Sequence, residues 1–447
     1  MSKSTSMTKA VALFATASIA TMGLAACSSS ETPAASSGDT QSATAAPEAA
    51  GDAIEIEYLH RLPDGDGMVK VDEIVARWNE EHPDVQVKAT KFDGKALEMI
   101  KKLETDINAG AAPCLAQLGY AEVPAFFTKG LVEDVTAEAE KYKDNFSGAY
   151  SLMSVGGKVV GLPQDTGPLV YFYDKAEFDA LGLKVPTTLD ELKEEAKKAA
   201  EKGKYILDFE ADEPGYWLGG QAVAAGDTWY SAKDDKWNVT IEGEGAKKVA
   251  AFWQELIDAK AVLTYNRWDD AYSKALVDKT LIGNIGAAWE AGFMLDGVVP
   301  EGEDGTWQVA LLPDFGTGKT GHDGGSGVAV LKGCAHPAEA MEFNNWFNTQ
   351  TKDLATQGLV VAAKGEVVTS DKIKKQFGGQ DVFAELAKAN ETLADFAFIP
   401  GFPAVADAMV ETAGKVVKGE GKVADIFTTA QEASVKTLKD LNLPVAE

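Results

Sequence analysis

The spacing of hydrophobic and polar positions predicts alternating strands and helices at the start of the main body of the chain. Residues 54–59, IEIEYL, alternate between apolar and polar side chains, which predicts a strand with one polar face. Apolar residues at helical spacing predict helices over 68–78 and 96–109, with a strand between them in VQVKATKF. A short buried strand in CLAQLGY and a helix with Pro124 in its first turn follow. This β-α-β-α-β order predicts a parallel sheet with helices on both faces.

The same alternation continues through the rest of the chain. The segment KVVGLPQDTGPLVYFYD predicts an extended stretch that is interrupted at Pro163 and Gly167. Thr188, with Glu191 three residues on, predicts a capped helix start. Further on we expect a strand in GGSGVAVLKG, a helix in PAEAMEFNNWFNT, and helices over 381–390, 403–418 and 423–441.

A different pattern precedes the first strand. Lys3 and Lys9 stand before an apolar stretch, 10–26, that ends in small residues and is too short and alanine-rich for a membrane span, which is typical of a secretory signal. Its end, LAAC, resembles the bacterial lipobox, in which the chain is cut before the cysteine and the cysteine is lipidated. We therefore expect a signal peptide over 1–26, lipidation at Cys27 and a disordered tether over 27–52.

Composition narrows the class of protein. The 447 residues are 45% hydrophobic, which is enough for two or three domains with real cores, and no later segment is apolar enough to cross a membrane. The formal net charge of −27 repels nucleic acid, so we expect no nucleic-acid partner. Cys114 and Cys334 remain after Cys27, and in an exported chain they form either one disulfide or two buried free thiols.

Several motifs of enzymes fail their structural context. GTGKTG, 316–321, is followed by HDGGSG rather than by a helix, and Pro313 replaces the first glycine of a phosphate-binding loop, so a glycine-rich surface turn is expected. Ser326 in GGSGV lacks the last glycine of a serine-hydrolase elbow. No histidine has a second histidine or cysteine at zinc-ligand spacing, so we expect no metal and no cofactor; the histidines are His60, His82, His322 and His336.

What remains is aromatic residues beside short polar groups. Residues 213–307 hold seven of the nine tryptophans, mostly in loop-like contexts. A flat apolar face next to carboxylate or amide groups suits a sugar, which has C–H faces and hydroxyl rims. For any single tryptophan core packing is the alternative, and it is favoured for Trp78, Trp253 and Trp346. The candidate pairs are Tyr120 with Glu122, Glu213 with Trp217, Trp268 with Asp269 and Trp289 with Glu290, and Asp165 stands alone after PQ.

Three long segments resemble one known family. They are GLPQDTGPLVYFYDKAEFDALGLKVPTTLDEL, GGSGVAVLKGCAHPAEAMEFNNWF and PGFPAVADAM. They are similar to the extracellular solute-binding proteins of sugar ABC transporters, the maltose-binding-protein superfamily, in lipoprotein form. The opening YLHRLPDGDGMVKVDEIVARWNEEHPDVQVKATKFDG looks especially like oligosaccharide binders of Gram-positive bacteria. The resemblance covers nearly all of the chain after the tether.

The resemblance implies an α/β, two-lobe periplasmic-binding-protein-like fold with a hinge between discontinuous lobes. Lobe one would hold 53–163 and 329–365, and lobe two 166–327 and 370–447. Matched position by position, it implies ligand contacts for Tyr120, Glu122, Asp165, Glu213, Trp217 and Trp289. The similar segments also contain His60, Asp64, Ser326 and Phe402, and with Trp268, Asp269 and Glu290 they complete the predicted site. Cys114 and Cys334 depart from the family pattern beside lobe-one strands, which favours the disulfide.

The function that this implies is a membrane-tethered receptor, not an enzyme. It would capture oligosaccharides on the outer face of the cytoplasmic membrane and deliver them to the permease subunits of an ABC transporter. Two alternatives stay open: a surface-retained glycoside hydrolase, because carboxylates are plentiful and no motif singles out a pair, and a receptor for peptides or another small solute.

Overall fold

Eight strands form one mixed sheet, with helices packed around it. The computed structural model describes residues 53–65, 67–146, 148–233, 236–299, 303–394 and 396–446, so the expected signal peptide, tether and Cys27 lie outside the described residues. The strands are β1 (Ile54–His60), β2 (Val85–Lys91), β3 (Leu115–Gly119), β4 (Ser154–Val155), β5 (Lys158–Val159), β6 (Gly161–Asp174), β7 (Tyr230–Lys233), β8 (Lys236–Val239), β9 (Gly283–Ala287), β10 (Trp307–Leu311), β11 (His322–Val330) and β12 (Val360–Val361).

The helices follow the predicted order along most of the chain. They are α1 (Val71–Glu81), α2 (Ala96–Ala109), α3 (Val123–Thr128), α4 (Thr136–Ala139), α5 (Lys175–Leu181), α6 (Leu189–Ala200), α7 (Pro214–Ala224), α8 (Glu244–Asp258), α9 (Asp270–Val277), α10 (Glu290–Phe293), α11 (Pro337–Asn348), α12 (Thr351–Thr356), α13 (Asp371–Gln376), α14 (Val382–Glu391), α15 (Phe402–Val417) and α16 (Val423–Asp440). Among the described residues, no helix is long and apolar enough to cross a membrane.

The first part of the sheet confirms the β-α-β-α-β prediction. Strand β1 pairs in parallel with β2 and with β3. Its alternation places Ile56 and Tyr58 in the core, while Glu55 and Glu57 are exposed. Helix α2 has the predicted bounds and ends at Gly110, whose left-handed φ of 69° glycine adopts without strain. Because β1, β2 and β3 run in parallel, their carboxyl ends lie together at one edge of the sheet, where the loops that follow them meet.

Strand β6 corrects the predicted interruption at Pro163 and Gly167, because it runs unbroken from Gly161 to Asp174. Pro163 lies opposite Gly327, where the register of β11 shifts. Gly167 faces the Asp323 carbonyl so closely that a Cβ would lie 2.2 Å from its oxygen. The small residue and the register shift let the strand pass where a larger side chain would clash. β6 pairs antiparallel with β9, β10, β11 and β12.

Two large hydrophobic clusters flank β6, and the strand contributes to both. Val170 and Phe172 belong to the cluster that contains Trp78. Leu169 and Tyr171 belong to the cluster that contains Trp217, Trp229 and Trp253. Alternate side chains of one strand therefore fill two cores. The lobe boundaries given above stay a prediction.

A disulfide joins Cys114 to Cys334, with 4.5 Å between their Cα atoms and 220 residues of separation along the chain. The bond lies directly beyond the last paired residues of two neighbouring strands, Leu115 in β3 and Val330 in β11. Of the two alternatives for these cysteines, the structure confirms the disulfide.

Helix α7 and strand β9 were not predicted. Every residue of α7 except Tyr216 is buried, and all five residues of β9 are buried. A segment that is buried on every side shows no alternation between apolar and polar positions, so its period is invisible in the sequence. The EPGYW stretch, expected to be loop-like, begins helix α7 with Pro214 in its first turn.

Candidate functional site

A cavity of about 420 Å³ opens where the carboxyl end of the parallel strands meets the start of α7 and the α10 region. This volume lies within the range of roughly 300–1,000 Å³ that is usual for small-molecule sites. Its lining combines charged, amide and aromatic side chains with backbone. The lining side chains are Arg61, Leu62, Pro63, Lys95, Ala96, Gln117, Tyr120, Ala121, Glu122, Asp165, Asp212, Glu213, Tyr216, Arg267, Trp268, Trp289, Phe293, Asp323, Ser326, Gln357, Leu359 and Phe398.

A chain of hydrogen bonds fixes the polar floor of the cavity. The Tyr120 hydroxyl donates to the Asp165 carbonyl over 2.7 Å. The Ser326 backbone N–H donates to Asp165 Oδ1 over 2.9 Å, and Gln117 Nε2 donates to Ser326 Oγ over 2.9 Å. Burial raises the pKa of Asp165 to about 6, although the hydrogen bonds from Ser326 oppose the shift. The antiparallel pairing of β6 with β11 places Asp165 opposite Ser326 and so builds this floor.

Three aromatic rings form one wall of the cavity. The Trp268 and Phe293 centroids lie 5.2 Å apart with the planes tilted by 31°. The Trp289 and Phe293 centroids lie 5.8 Å apart in an edge-on arrangement. Trp289 is held in place because its Nε1 donates to the Asp323 carbonyl over 2.8 Å. The rings offer a continuous apolar surface beside the polar floor.

Three buried polar atoms of lining residues have no hydrogen-bond partner among the described residues. They are Nε of Arg61, Oε2 of Glu122 and Nε1 of Trp268. Burial also raises the pKa of Glu122, while Arg61 opposes that shift. Buried polar groups are costly without partners, so two donors and one acceptor in one cavity indicate a polar ligand.

Trp268 carries a second sign of a functional site. Its backbone has a φ of 63°, in the left-handed region that a bulky residue rarely adopts. Such strain costs free energy of about 1–3 kcal/mol and is concentrated at ligand-binding positions. The conformation presents the indole of Trp268 to the cavity and to Phe293.

Arg267 lines the cavity next to Trp289 and lies among four carboxylates. Its Nη1 donates to Glu290 Oε1 over 2.8 Å and to Asp323 Oδ2 over 3.0 Å, and it lies 3.3 Å from Glu210 Oε2. Its Nη2 donates to Glu213 at the rim. Burial raises the pKa of Glu290 to about 7 and that of Asp323 to about 6, while the Arg267 charge opposes both shifts. The guanidinium is therefore what favours the ionised carboxylates at neutral pH.

Seven of the thirteen predicted ligand-binding residues line this cavity. They are Tyr120, Glu122, Asp165, Glu213, Trp268, Trp289 and Ser326. The structure brings them together from distant parts of the chain, and their contacts with a ligand stay a prediction.

Trp217 and Phe402 lie elsewhere than predicted, and both are fully buried. The Trp217 indole packs at 4.6 Å from Trp253 and donates to the Ile285 carbonyl over 2.9 Å. Phe402 packs against Tyr216, so it supports a lining residue without reaching the cavity. Both side chains face the core because of the phase of their helices, which the local sequence does not reveal.

The other four predicted residues surround the cavity without lining it. His60 is buried, and its Nδ1 accepts from the Leu62 N–H. Asp64 Oδ1 accepts from the Val71 N–H at the start of α1. Asp269 is the N-cap residue of α9, and Glu290 is buried against Arg267 behind Trp289.

Sequence reasoning missed seven charged or amide side chains of the lining, which are Arg61, Lys95, Gln117, Asp212, Arg267, Asp323 and Gln357. Arg267 directly precedes the predicted Trp268 in the stretch NRWDD, 266–270, so an arginine between an amide and a tryptophan was an available signal. Gln117 lies inside a buried strand, and no local pattern separates its role from that of its apolar neighbours.

Comparison with known proteins identifies the family. The family model for bacterial extracellular solute-binding proteins matches residues 64–352. A solved structure of the galacto-N-biose-/lacto-N-biose I-binding protein of the ABC transporter from Bifidobacterium longum, in complex with lacto-N-biose, is 54% identical and covers 89% of this chain and 100% of that chain, with a TM-score of 0.85.

Two curated relatives are more distant. The lactose-binding protein of Rhizobium radiobacter is 24% identical over 70% of this chain and 77% of its own length. An uncharacterized lipoprotein of Streptomyces antibioticus is 26% identical over 67% of each chain. The family match spans well over half of the residues, and the fold agrees with the two-lobe α/β expectation. The chain belongs to the bacterial extracellular solute-binding protein family.

Proposed function

We propose that the protein is the extracellular receptor of a sugar ABC transporter and that its ligand is a disaccharide of the lacto-N-biose type, in which galactose is joined to an N-acetylated hexosamine. The observation that carries this proposal is the cavity itself, where an aromatic wall lies beside three buried polar atoms that lack partners among the residues that the structure describes. The 54% identity to the Bifidobacterium longum protein supports this choice of disaccharide.

Each part of the cavity suits one part of such a sugar. The C–H faces of the rings pack on Trp268, Phe293 and Trp289. Ligand hydroxyl or amide groups donate to Glu122, and ligand oxygens accept from Trp268 Nε1 and from Arg61. Closure of the two lobes around the bound sugar then produces the form that docks on the permease, and other subunits hydrolyse ATP.

Isothermal titration of the purified protein with a panel of disaccharides tests this proposal. We expect lacto-N-biose to bind with a dissociation constant of about 1 μM or lower. Lactose, which lacks the acetamido group, should bind at least about tenfold more weakly, because a polar group of the cavity then stays unpaired. Equal affinity for lactose or maltose would contradict the disaccharide assignment.

Prolonged incubation of the purified protein with the same disaccharides separates a receptor from the surface-retained glycoside hydrolase. A receptor returns the disaccharide unchanged after prolonged incubation, whereas a hydrolase releases galactose. Monosaccharide in the product mixture would overturn the receptor proposal.

A further inference from the structure

The position of Arg267 in the fold differs from that of the other two arginines, Arg61 and Arg77. Its side chain is only 2% exposed and it lies in the segment directly before α9. Its backbone N–H donates to Asp212 Oδ1 over 3.1 Å, which fixes the segment against the start of α7. Such burial of a charged side chain requires partners on every side.

Those partners come from three separate parts of the chain. Glu210 and Glu213 precede α7, Glu290 begins α10, and Asp323 lies in β11. In the part of the chain that the structure describes, no lysine and no second arginine forms an ion pair with any of these four carboxylates. One guanidinium therefore ties together all three segments that carry the aromatic wall and the rim.

The guanidinium also covers one face of the Trp289 indole, the part of the aromatic wall that would serve as a platform for a sugar ring. Arg267 Cζ lies 4.9 Å from the centre of the Trp289 ring. The indole edge is fixed from another direction, because its Nε1 donates to the carbonyl of Asp323, whose carboxylate binds the same arginine. A sugar ring can stack only on the face that the arginine leaves open, so the cation sets the orientation of the platform.

Arg267 acts on the rim as well. Glu213, whose side chain is 47% exposed, lines the cavity and accepts from Arg267 Nη2. A rim carboxylate without this partner would be free to rotate into solvent. The same cation thus holds an aromatic platform and a hydrogen-bond acceptor in fixed relative positions.

We propose that Arg267 is the positioning residue of the sugar site: its guanidinium orients Trp289 and Glu213 for the ligand. This inference rests on the proposed function and adds to it the residue that organises the site. Planarity and the forked donors are required, because a lysine ammonium at the same place is a point charge that cannot stack on the indole and pair with several carboxylates at once.

The test compares Arg267→Lys with Arg77→Lys, the same change at an exposed ion pair outside the cavity. Titration with lacto-N-biose should show binding about tenfold weaker for Arg267→Lys and unchanged for Arg77→Lys. In a background that carries both Trp289→Leu and Glu213→Gln, the Arg267→Lys change should cost less than about twofold, because the two side chains through which it acts are already altered. Equal losses in both backgrounds, or no loss, would overturn the proposal.

A measurement without sugar distinguishes failure of this inference from failure of the proposed function. In protein labelled with 5-fluorotryptophan, Trp289→Phe assigns the ¹⁹F resonance of residue 289. That resonance should shift in Arg267→Lys and stay in place in Arg77→Lys. An unshifted resonance overturns the positioning role, whatever the ligand is. Absence of lacto-N-biose binding to the wild-type protein would overturn only the disaccharide assignment.

If Arg267→Lys unfolds the protein, Arg267→Met combined with Glu210→Gln, Glu290→Gln and Asp323→Asn removes the cation together with its three buried carboxylates. This avoids leaving buried charges unpaired. The expected results are again a shifted Trp289 resonance and weaker binding, and wild-type values for both would overturn the proposal.

Discussion

Trp268 combines a strained backbone, with a φ of 63°, and a buried indole N–H without a partner among the described residues. Trp229 shares the second feature, since its Nε1 is also buried without a partner in the described part of the chain, but it lies in a core and does not line the cavity. We propose that the Trp268 N–H donates to a bound ligand, whereas the Trp229 N–H is simply unsatisfied.

Trp268→Phe keeps an aromatic ring but removes the pyrrole ring with its N–H, and Trp229→Phe makes the same change away from the cavity. We expect Trp268→Phe to weaken disaccharide binding by about 1 kcal/mol, or roughly fivefold, because a ligand acceptor loses its donor. Trp229→Phe should leave the affinity unchanged. Titration calorimetry of both variants gives the comparison, and equal effects would argue against a hydrogen bond from Trp268 to the ligand.

Asp208 makes stability depend on pH. Burial is the largest influence on Asp208 and raises its pKa to about 8. The Tyr265 N–H, which donates to Oδ1, opposes this shift. The folded state therefore keeps a proton that the unfolded state loses near pH 4, so this group destabilises the fold as the pH rises. Its unfavourable contribution begins above the unfolded pKa and grows until the pH passes the folded pKa.

Asp208→Asn removes this titration. The wild-type free energy of unfolding should fall by about 2 kcal/mol between about pH 6 and about pH 8 through this group, and the variant should show a flatter profile over that range. Urea unfolding at several pH values measures it. Parallel profiles for wild type and Asp208→Asn would contradict the raised pKa.

At the scale of elements, periodicity predicts segments that have one exposed face. Of the fully buried segments, β6 was expected as an extended stretch, whereas α7 and β9 were missed. Strand β1 and helix α2 each expose one side, and their types and bounds follow from the sequence. Helix α7 and strand β9 are buried all round, so tertiary packing alone determines them. The site shows the same limit: Trp289 was predicted to line the cavity and does so, but the EPGYW stretch, 213–217, gave no way to tell that Trp217 faces the core.

The Cys114–Cys334 bond lies at the end of the β3–β11 ladder and closes a loop across 220 positions of the chain. A loop of this length restricts the unfolded chain strongly, and the chain-entropy model gives a stabilisation of about 5 kcal/mol, which measured values often do not reach.

Cys114→Ser combined with Cys334→Ser should lower the free energy of unfolding by about 3–5 kcal/mol while leaving sugar affinity unchanged, because neither residue lines the cavity. Denaturant unfolding and calorimetric titration measure the two effects. A thiol titration of denatured, unreduced protein carrying Cys27→Ala provides the control, and two reactive thiols there would contradict the bond.

At the scale of the whole molecule, the expected tether over 27–52 bears on where the receptor works. The family is extracellular, and one relative, of Streptomyces antibioticus, is a lipoprotein. We propose that this chain is likewise anchored through lipidated Cys27, which would keep the receptor near its permease on the outer face of the membrane.

Cys27→Ala should move the protein from the membrane fraction to the culture medium, because the acyl chains would have no attachment point. Immunoblots of the separated fractions measure this. A Ser28→Ala variant, next to the lipidation site, should stay with the membrane, and membrane retention of Cys27→Ala would contradict the anchor.

The position of β6 between two hydrophobic cores affects how the protein unfolds. Because its alternate side chains complete two cores, neither core can melt while the other keeps its full complement of contacts. Residues 53–446 should therefore unfold as a single cooperative unit despite their size, with a calorimetric enthalpy equal to the van't Hoff enthalpy. Two resolved peaks in differential scanning calorimetry would contradict this prediction, because they would show that one core unfolds while β6 stays packed against the other.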